Sequence, residues 1–260
     1  MSFAYMRGID QVYERDGVSY TALRGFDLAI EEGEFCCLLG PSGCGKTTAL
    51  NLLAGFESPS SGDIVVAGRE VRAPGADRGV VFQSHDSLFD WLTALENIEF
   101  GLRMGGASTA DRRATAERCL ALVGLSGHGH KRPHEMSGGM KQRVQIARVF
   151  ANDPAMLLMD EPFGALDSQT RRVLQRELTA IWETNRKTVV FITHDIEESI
   201  ILGTKVAVMY AGPASRIKEI IEIDPAMGHD RNSTQFAEYY RRIQMLIEEE
   251  VNKTLELELH

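Results

Sequence analysis

Short unbroken apolar runs recur along the chain, each closing on polar residues. Glu34–Gly40 (EFCCLLG) ends in glycine, and AMLLMDEP (155–162) and TVVFITHD (188–195) repeat the form with carboxylates or histidine at the carboxyl end. Runs of this length without alternation predict strands buried on both faces. Between them the spacing changes. KTTALNLLAGF carries apolar residues at helical steps, and in Asp167–Asn185 they fall at Val173, Leu174, Leu178, Ile181 and Trp182. Buried strands alternating with helices predict an α/β fold on a parallel sheet. In such sheets ligands bind beyond the carboxyl ends of the strands, where the polar residues stand here. A further strand is expected near Val80–Phe82. A long, mostly helical stretch between it and the strand near Ala155–Met159 predicts a subdomain inserted over 88–153. Phe236, Tyr240, Ile243 and Ile247 lie on one helical stripe, so a C-terminal helical extension over 225–260 is expected to pack back on the core, with a disordered end at LELELH.

Composition narrows the class. With 260 residues, 43% of them hydrophobic, the chain can bury a full core as a single domain over 1–260 with its subdomain. Net charge is −9 and no run of Lys/Arg exceeds a pair, which argues against a nucleic-acid partner. Cys36, Cys37, Cys44 and Cys119 show neither metal-ligand nor disulfide spacing, so reduced thiols in a cytoplasmic compartment are expected. The charged N-terminus does not read as a signal peptide. The most apolar late stretch, SIILGTKVAVMYAG, is broken by Lys205 and glycines, so no membrane span is expected.

The strand ends carry the chemistry. GPSGCGKTT (Gly40, Pro41, Ser42, Gly43, Cys44, Gly45, Lys46, Thr47, Thr48) fits a phosphate-binding loop between a strand and a helix. Its glycines let successive backbone N–H groups curl around one anion at the positive end of a helix. Lys46 is expected on the β- and γ-phosphates of ATP, the Thr47 hydroxyl on Mg²⁺, and Thr48 on the α-phosphate. Alternation after MLLMDEP should point Asp160 and Glu161 in different directions, one toward the metal and one toward water. Asp160 is assigned to Mg²⁺ and Glu161 to polarising the attacking water. His194 closes its strand at a matching position, and Gln83, ending GVVFQ, offers a neutral amide to metal or water.

A second anion site stands apart. In MSGGMKQR, Ser137 reads as a helix N-cap, and Gly138 and Gly139 expose backbone N–H groups. About ninety residues separate it from Lys46. It either closes over the phosphate loop of the same chain or completes the site of a second chain, giving a two-fold dimer with two nucleotides.

In combination and order these motifs resemble the nucleotide-binding subunits of ABC transporters over nearly the whole chain. GPSGCGKTT is similar to Walker A, GVVFQ to the Q-loop, MSGGMKQR to the signature, MLLMDEP to Walker B, GALD (164–167) to the D-loop and ITHD to the switch histidine. The resemblance implies the P-loop ABC ATPase fold: a mostly parallel core sheet, an N-terminal antiparallel β region and an inserted helical subdomain. It implies ATP and Mg²⁺ sandwiched between subunits, which favours the dimer, here a homodimer. Tyr13 falls where family members stack an aromatic on adenine; a partly exposed aromatic without function is the competing reading. Met140 stands where the signature commonly has Gln, and Asp90 precedes Trp91 where the family has Pro. The segment Gln83–Trp91 resembles the surface that receives integral-membrane permease subunits, and its Leu88, Phe89 and Trp91 read as exposed.

The resemblance therefore implies an ATPase energising an ABC importer, peripheral at the cytoplasmic face of the inner membrane. A substrate-binding protein would be an indirect partner. A soluble ABC ATPase of DNA repair or translation is the alternative, but it would bring coiled-coil insertions or a second cassette. A kinase or GTPase would leave SGGMKQR unexplained. GADRGVVFQ, AGFESPSSG, EPFGALD and THDIEES look most like subunits serving nitrate, taurine or alkanesulfonate import.

Overall fold

The computed structural model describes residues 2–83, 87–164, 166–228 and 230–258. The chain separates into two compact units, Met1–Gly75 with Arg186–His260, and Ala76–Asn185.

In the first unit, long strands β1 (Ala4–Arg15) and β2 (Val18–Ile30) pair antiparallel. The strand β3 (Phe35–Leu39) is followed by helix α1 (Lys46–Ala54), then β4 (Ser61–Val66) and β5 (Arg69–Glu70), giving an antiparallel sheet ordered β2-β1-β4-β5. The second unit contributes β6 (Arg78–Val81), helices α2 (Ala94–Met104), α3 (Thr109–Leu122) and α4 (Gly138–Ala151), strand β7 (Met156–Asp160) and helix α5 (Ser168–Asn185). The chain then returns to the first unit with β8 (Thr188–Thr193), α6 (Ile196–Leu202), β9 (Lys205–Met209), β10 (Ile217–Glu222), α7 (Pro225–Gly228) and α8 (Thr234–Glu258).

The core of the first unit is where the unbroken apolar runs predict it. β3 lies parallel to both β8 and β9, and β10 closes the edge antiparallel to β9. Every residue of β3, β8 and β9 is buried, with the Phe35 and Phe191 rings 5.7 Å apart. Each such apolar side chain contributes about 1.5–3 kcal/mol on leaving water, which is why a strand covered on both faces shows no polar alternation. Lys205 is the charged member of β9; its ammonium meets Glu34 at 2.7 Å. In the second unit β6 and β7 pair parallel, and α2, α3 and α4 pack on one another.

The helix α8 buries Phe236 and Ile243 and packs on α6, α7 and β9, as an apolar stripe directs. Two turns on, the same stripe carries Glu250, which is 2% exposed. Lys218 and Lys253 each reach it at 2.8 Å, and it accepts from the Ala211 backbone N–H at 3.0 Å. Burial alone would push this carboxyl up; those donors outweigh it and hold the group at about 2. The end expected to be disordered is helical as far as Glu258, while Leu259 and His260 lie outside the described residues. No described helix is long and apolar enough to cross a membrane.

Candidate functional site

The phosphate cradle follows β3. Gly43 and Gly45 adopt φ of 78° and 91°, a region L-residues with a side chain rarely enter. A Cβ on Gly45 would also stand 2.7 Å from Leu23 Cδ2. Gly45 caps α1 with no side-chain hydrogen bond, whereas Thr93, Ser108, Ser137 and Asp195 cap α2, α3, α4 and α6. The first amides of α1 are therefore left to the loop, which suits an anion. Lys46 is 7% exposed, and its ammonium donates to the carbonyls of Gly40 at 2.7 Å and Pro41 at 2.8 Å. It lies curled inside the loop, so contact with phosphate exchanges these carbonyl bonds for phosphate oxygens. Thr47 is exposed and Thr48 half-buried in the first turn of α1. The Cys44 thiol is pushed up by burial, against the opposing charge of Lys46.

Tyr13 lies in the same unit, half-buried on β1 just past a register shift between Gln11 and Val12. Bulges of this kind re-aim side chains. His194 follows β8 and is exposed. Its turn is braced by neighbours that sequence reasoning missed. Thr193 Oγ1 donates to the buried Glu198 carboxylate, and Asp195 Oδ1 accepts from the Glu198 backbone N–H at 3.1 Å.

The second unit holds the remaining groups. Asp160 is the last residue of β7, and Glu161 leaves the strand with φ of 41°. The strand conformation thus ends at Asp160, and Glu161 enters the left-handed region of the backbone. Gln83 Nε2 donates to Glu161 Oε2 at 3.2 Å, so the structure joins these two expected site residues. Ser137 caps α4, its Oγ accepting from the Met140 N–H at 3.3 Å. A Cβ on Gly139 would meet Thr170 Cγ2 at 3.0 Å. Ser137, Gly138 and Gly139 line a cavity of about 550 Å³ with His128, Leu166 and Asp167. Among the described residues no cluster of His, Cys, Asp or Glu is placed to hold a metal by itself.

In the segment expected to meet a membrane partner, Ser84, His85 and Asp86 lie outside the described residues. Beyond them Trp91 is 67% exposed, while Leu88 is 5% exposed and Phe89 half-buried, so the expectation that all three are exposed is corrected. Phe89 sits 4.5 Å from the half-buried Phe100 ring and 5.2 Å from that of Trp91. Sequence reasoning also missed the buried Asn97, whose amide accepts from the Phe89 N–H at 2.9 Å and donates to the carbonyls of Phe89, Leu92 and Thr93. Arg148 braces the same segment, donating to Ser87 O at 2.7 Å. A capping threonine, Thr93, four residues before Asn97 was the available signal, but the partner of a buried amide is set by the fold.

The comparisons agree with this geometry. A family model described as ABC transporter matches residues 23–164. An uncharacterized ABC transporter ATP-binding protein of Methanocaldococcus jannaschii is 45% identical over 96% of this chain and 93% of its own length. The nitrate import ATP-binding protein of Synechococcus elongatus is 47% identical over 78% of this chain and 75% of its own. A bicarbonate transport ATP-binding protein of Synechocystis is 44% identical, covering 89% and 82% respectively. A solved dimeric ATP-binding cassette in a post-hydrolysis state, bound to ADP and Pi, superposes with a TM-score of 0.76 at 32% identity, over 85% of this chain and 99% of that one. A glycine cradle ahead of α1, a capped Ser-Gly-Gly helix and relatives matched over three quarters or more of their length lead to one conclusion: the chain belongs to the ABC transporter family, as an ATP-binding, ATP-hydrolysing subunit.

Proposed function

We propose that this ATPase energises an importer of a small anion. The observation that carries the reading is the cradle Gly40–Thr48, with its glycine turns and its helix start unclaimed by any side-chain cap. Within it Lys46 neutralises the β- and γ-phosphates, Thr47 with Asp160 and Gln83 serves Mg²⁺, Thr48 meets the α-phosphate, and Tyr13 stacks on adenine. Glu161 accepts the proton of the attacking water, and His194 aligns water and γ-phosphate.

Ser137, Gly138 and Gly139 complete the nucleotide site of a second copy of the chain. The dimeric state of the solved cassette supports this, as does the cavity at the start of α4. Mixing Lys46→Ala and Gly139→Asp subunits then leaves at most one competent composite site per mixed dimer, because a carboxylate at that helix end repels phosphate. Normal hydrolysis by Gly139→Asp subunits alone would sink the composite site. Residues 88–153 act as the helical arm that carries this second half-site, and 225–260 as an extension bound to the core.

The transported anion is of the nitrate, taurine or alkanesulfonate kind, a reading supported by the nitrate import relative. Uptake of labelled nitrate, bicarbonate, taurine and alkanesulfonate in a strain lacking this chain tests it; undiminished uptake of all would refute it. Permease subunits dock at the exposed Trp91, at the cytoplasmic face of the inner membrane, and a substrate-binding protein acts through them. Trp91→Glu should release the permease while leaving the helical arm folded. Phe89→Glu should release the permease and also loosen the helical arm, since its ring is packed against Phe100.

A further inference from the structure

We propose that Glu57 is a positioning residue that ties the Tyr13 ring to the helix of the phosphate cradle, fixing the distance between the purine platform and the phosphates. The proposal rests on the reading of Tyr13 as that platform. The juxtaposition is built from both sides. Tyr13 Oη donates to Glu57 Oε2, and Asn51 Nδ2, on α1, donates to Glu57 Oε1 at 2.9 Å. One carboxylate thus spends each oxygen on a different element, β1 and α1.

The chain around Glu57 is shaped for this bridge. α1 ends at Gly55, whose φ of 78° and whose Cβ position, 2.4 Å from Ala73 O, admit only glycine. That turn sends the chain back along α1, with the Phe56 N–H bonded to Asn51 O at 3.0 Å. Three residues beyond Glu57, Ser60 is pinned to β1. Its N–H donates to Asp10 O at 2.9 Å and Gln11 Oε1 at 3.1 Å, and its Oγ accepts from the Val12 N–H at 3.0 Å. These bonds fall at the register shift just before Tyr13. Segment 57–60 therefore holds the backbone that aims the ring, and Glu57 holds the ring's far end. The phenol is raised in pKa, first by burial and then by the Glu57 carboxylate, so it stays a donor.

A platform that must be ordered at each binding event loses affinity; one held in place does not. The tether should therefore act on binding of the base and leave the phosphates untouched. The experiment measures Kd for Mg·ATP and Mg·tripolyphosphate, with KM and kcat for ATP, in the full chain. The variants are Glu57→Ala, Glu57→Gln, Tyr13→Phe, Tyr13→Ala and the double variant Glu57→Ala/Tyr13→Phe.

Glu57→Ala should raise Kd and KM for ATP about fivefold, the worth of one side-chain hydrogen bond. The loss falls on KM, with no change in tripolyphosphate affinity. Tyr13→Phe should match it, the double variant should add little, and Glu57→Gln should recover part of the loss. If Glu57→Ala compromises folding, Tyr13→Phe, which removes only the hydroxyl, carries the test. Unchanged ATP affinity in Glu57→Ala and Tyr13→Phe, with weakened binding in Tyr13→Ala, overturns the tether and leaves the platform. Unchanged affinity in Tyr13→Ala overturns the platform itself. Equal weakening of ATP and tripolyphosphate also overturns the proposal, because Glu57 would then be shaping the cradle.

Discussion

Glu161→Gln separates chemistry from binding. Gln83 reaches Glu161 Oε2 at 3.2 Å, at the long end of the hydrogen-bond range, and a glutamine side chain still offers one carbonyl oxygen there. The change therefore risks at most about 1 kcal/mol of folding stability. Backbone strain at φ 41° is unaltered, since Gln carries the same unbranched Cβ as Glu. What disappears is the acceptor proposed for the water's proton. A positioned general base contributes about 10²–10⁴-fold, or roughly 3–5 kcal/mol of barrier. Phosphate release at saturating Mg·ATP should fall by that factor while nucleotide affinity survives. Losing a negative charge near the γ-phosphate also lowers repulsion, so an ATP-bound dimer should accumulate on gel filtration. Turnover within threefold of the parent, or a rate that falls only in step with the melting temperature, would refute the assignment. A monomer at saturating ATP would refute the closure.

Three further outcomes follow from the geometry. Because Glu161 sits at positive φ, Glu161→Gly should be more stable than Glu161→Ala by about 1 kcal/mol in urea unfolding, the reverse of the usual order; alanine on top would count against the left-handed turn. Glu250 titrates at about 2 in the fold, against roughly 4.3 unfolded, so its depressed pKa contributes stability that is full above pH 5. That contribution drains as pH falls toward 2, and Glu250→Gln should flatten stability across this window; parallel acid-unfolding curves would remove the anchor. The Cys36 thiol is pushed up to about 12 and Cys37 well above its ordinary value, both by burial first, so iodoacetamide should label neither until the chain unfolds. Rapid labelling in the native state would contradict the packing of β3.

Much of this protein is legible in one dimension. The runs at Glu34–Gly40, Ala155–Pro162 and Thr188–Asp195 became β3, β7 and β8 because a strand buried on both faces is built mostly of apolar residues, with no polar alternation. Gly43 and Gly45 announced a turn that only glycine adopts, and Ser137 announced a helix cap; both are local chemistry, settled within a few residues. Tertiary structure decided the rest. That Leu88 is buried while Trp91 is exposed depends on neighbours absent from the local sequence. Glu57, Asn97, Glu198 and Glu250 looked like ordinary polar residues. Each acquires its role from partners three to forty-four residues away, as Glu57 does from Tyr13 and Asn51. Periodicity records which face of an element avoids water, but a polar side chain's partner is chosen by where the folded backbone brings a matching donor or acceptor, since a buried polar group left unpaired costs more than the bond itself returns.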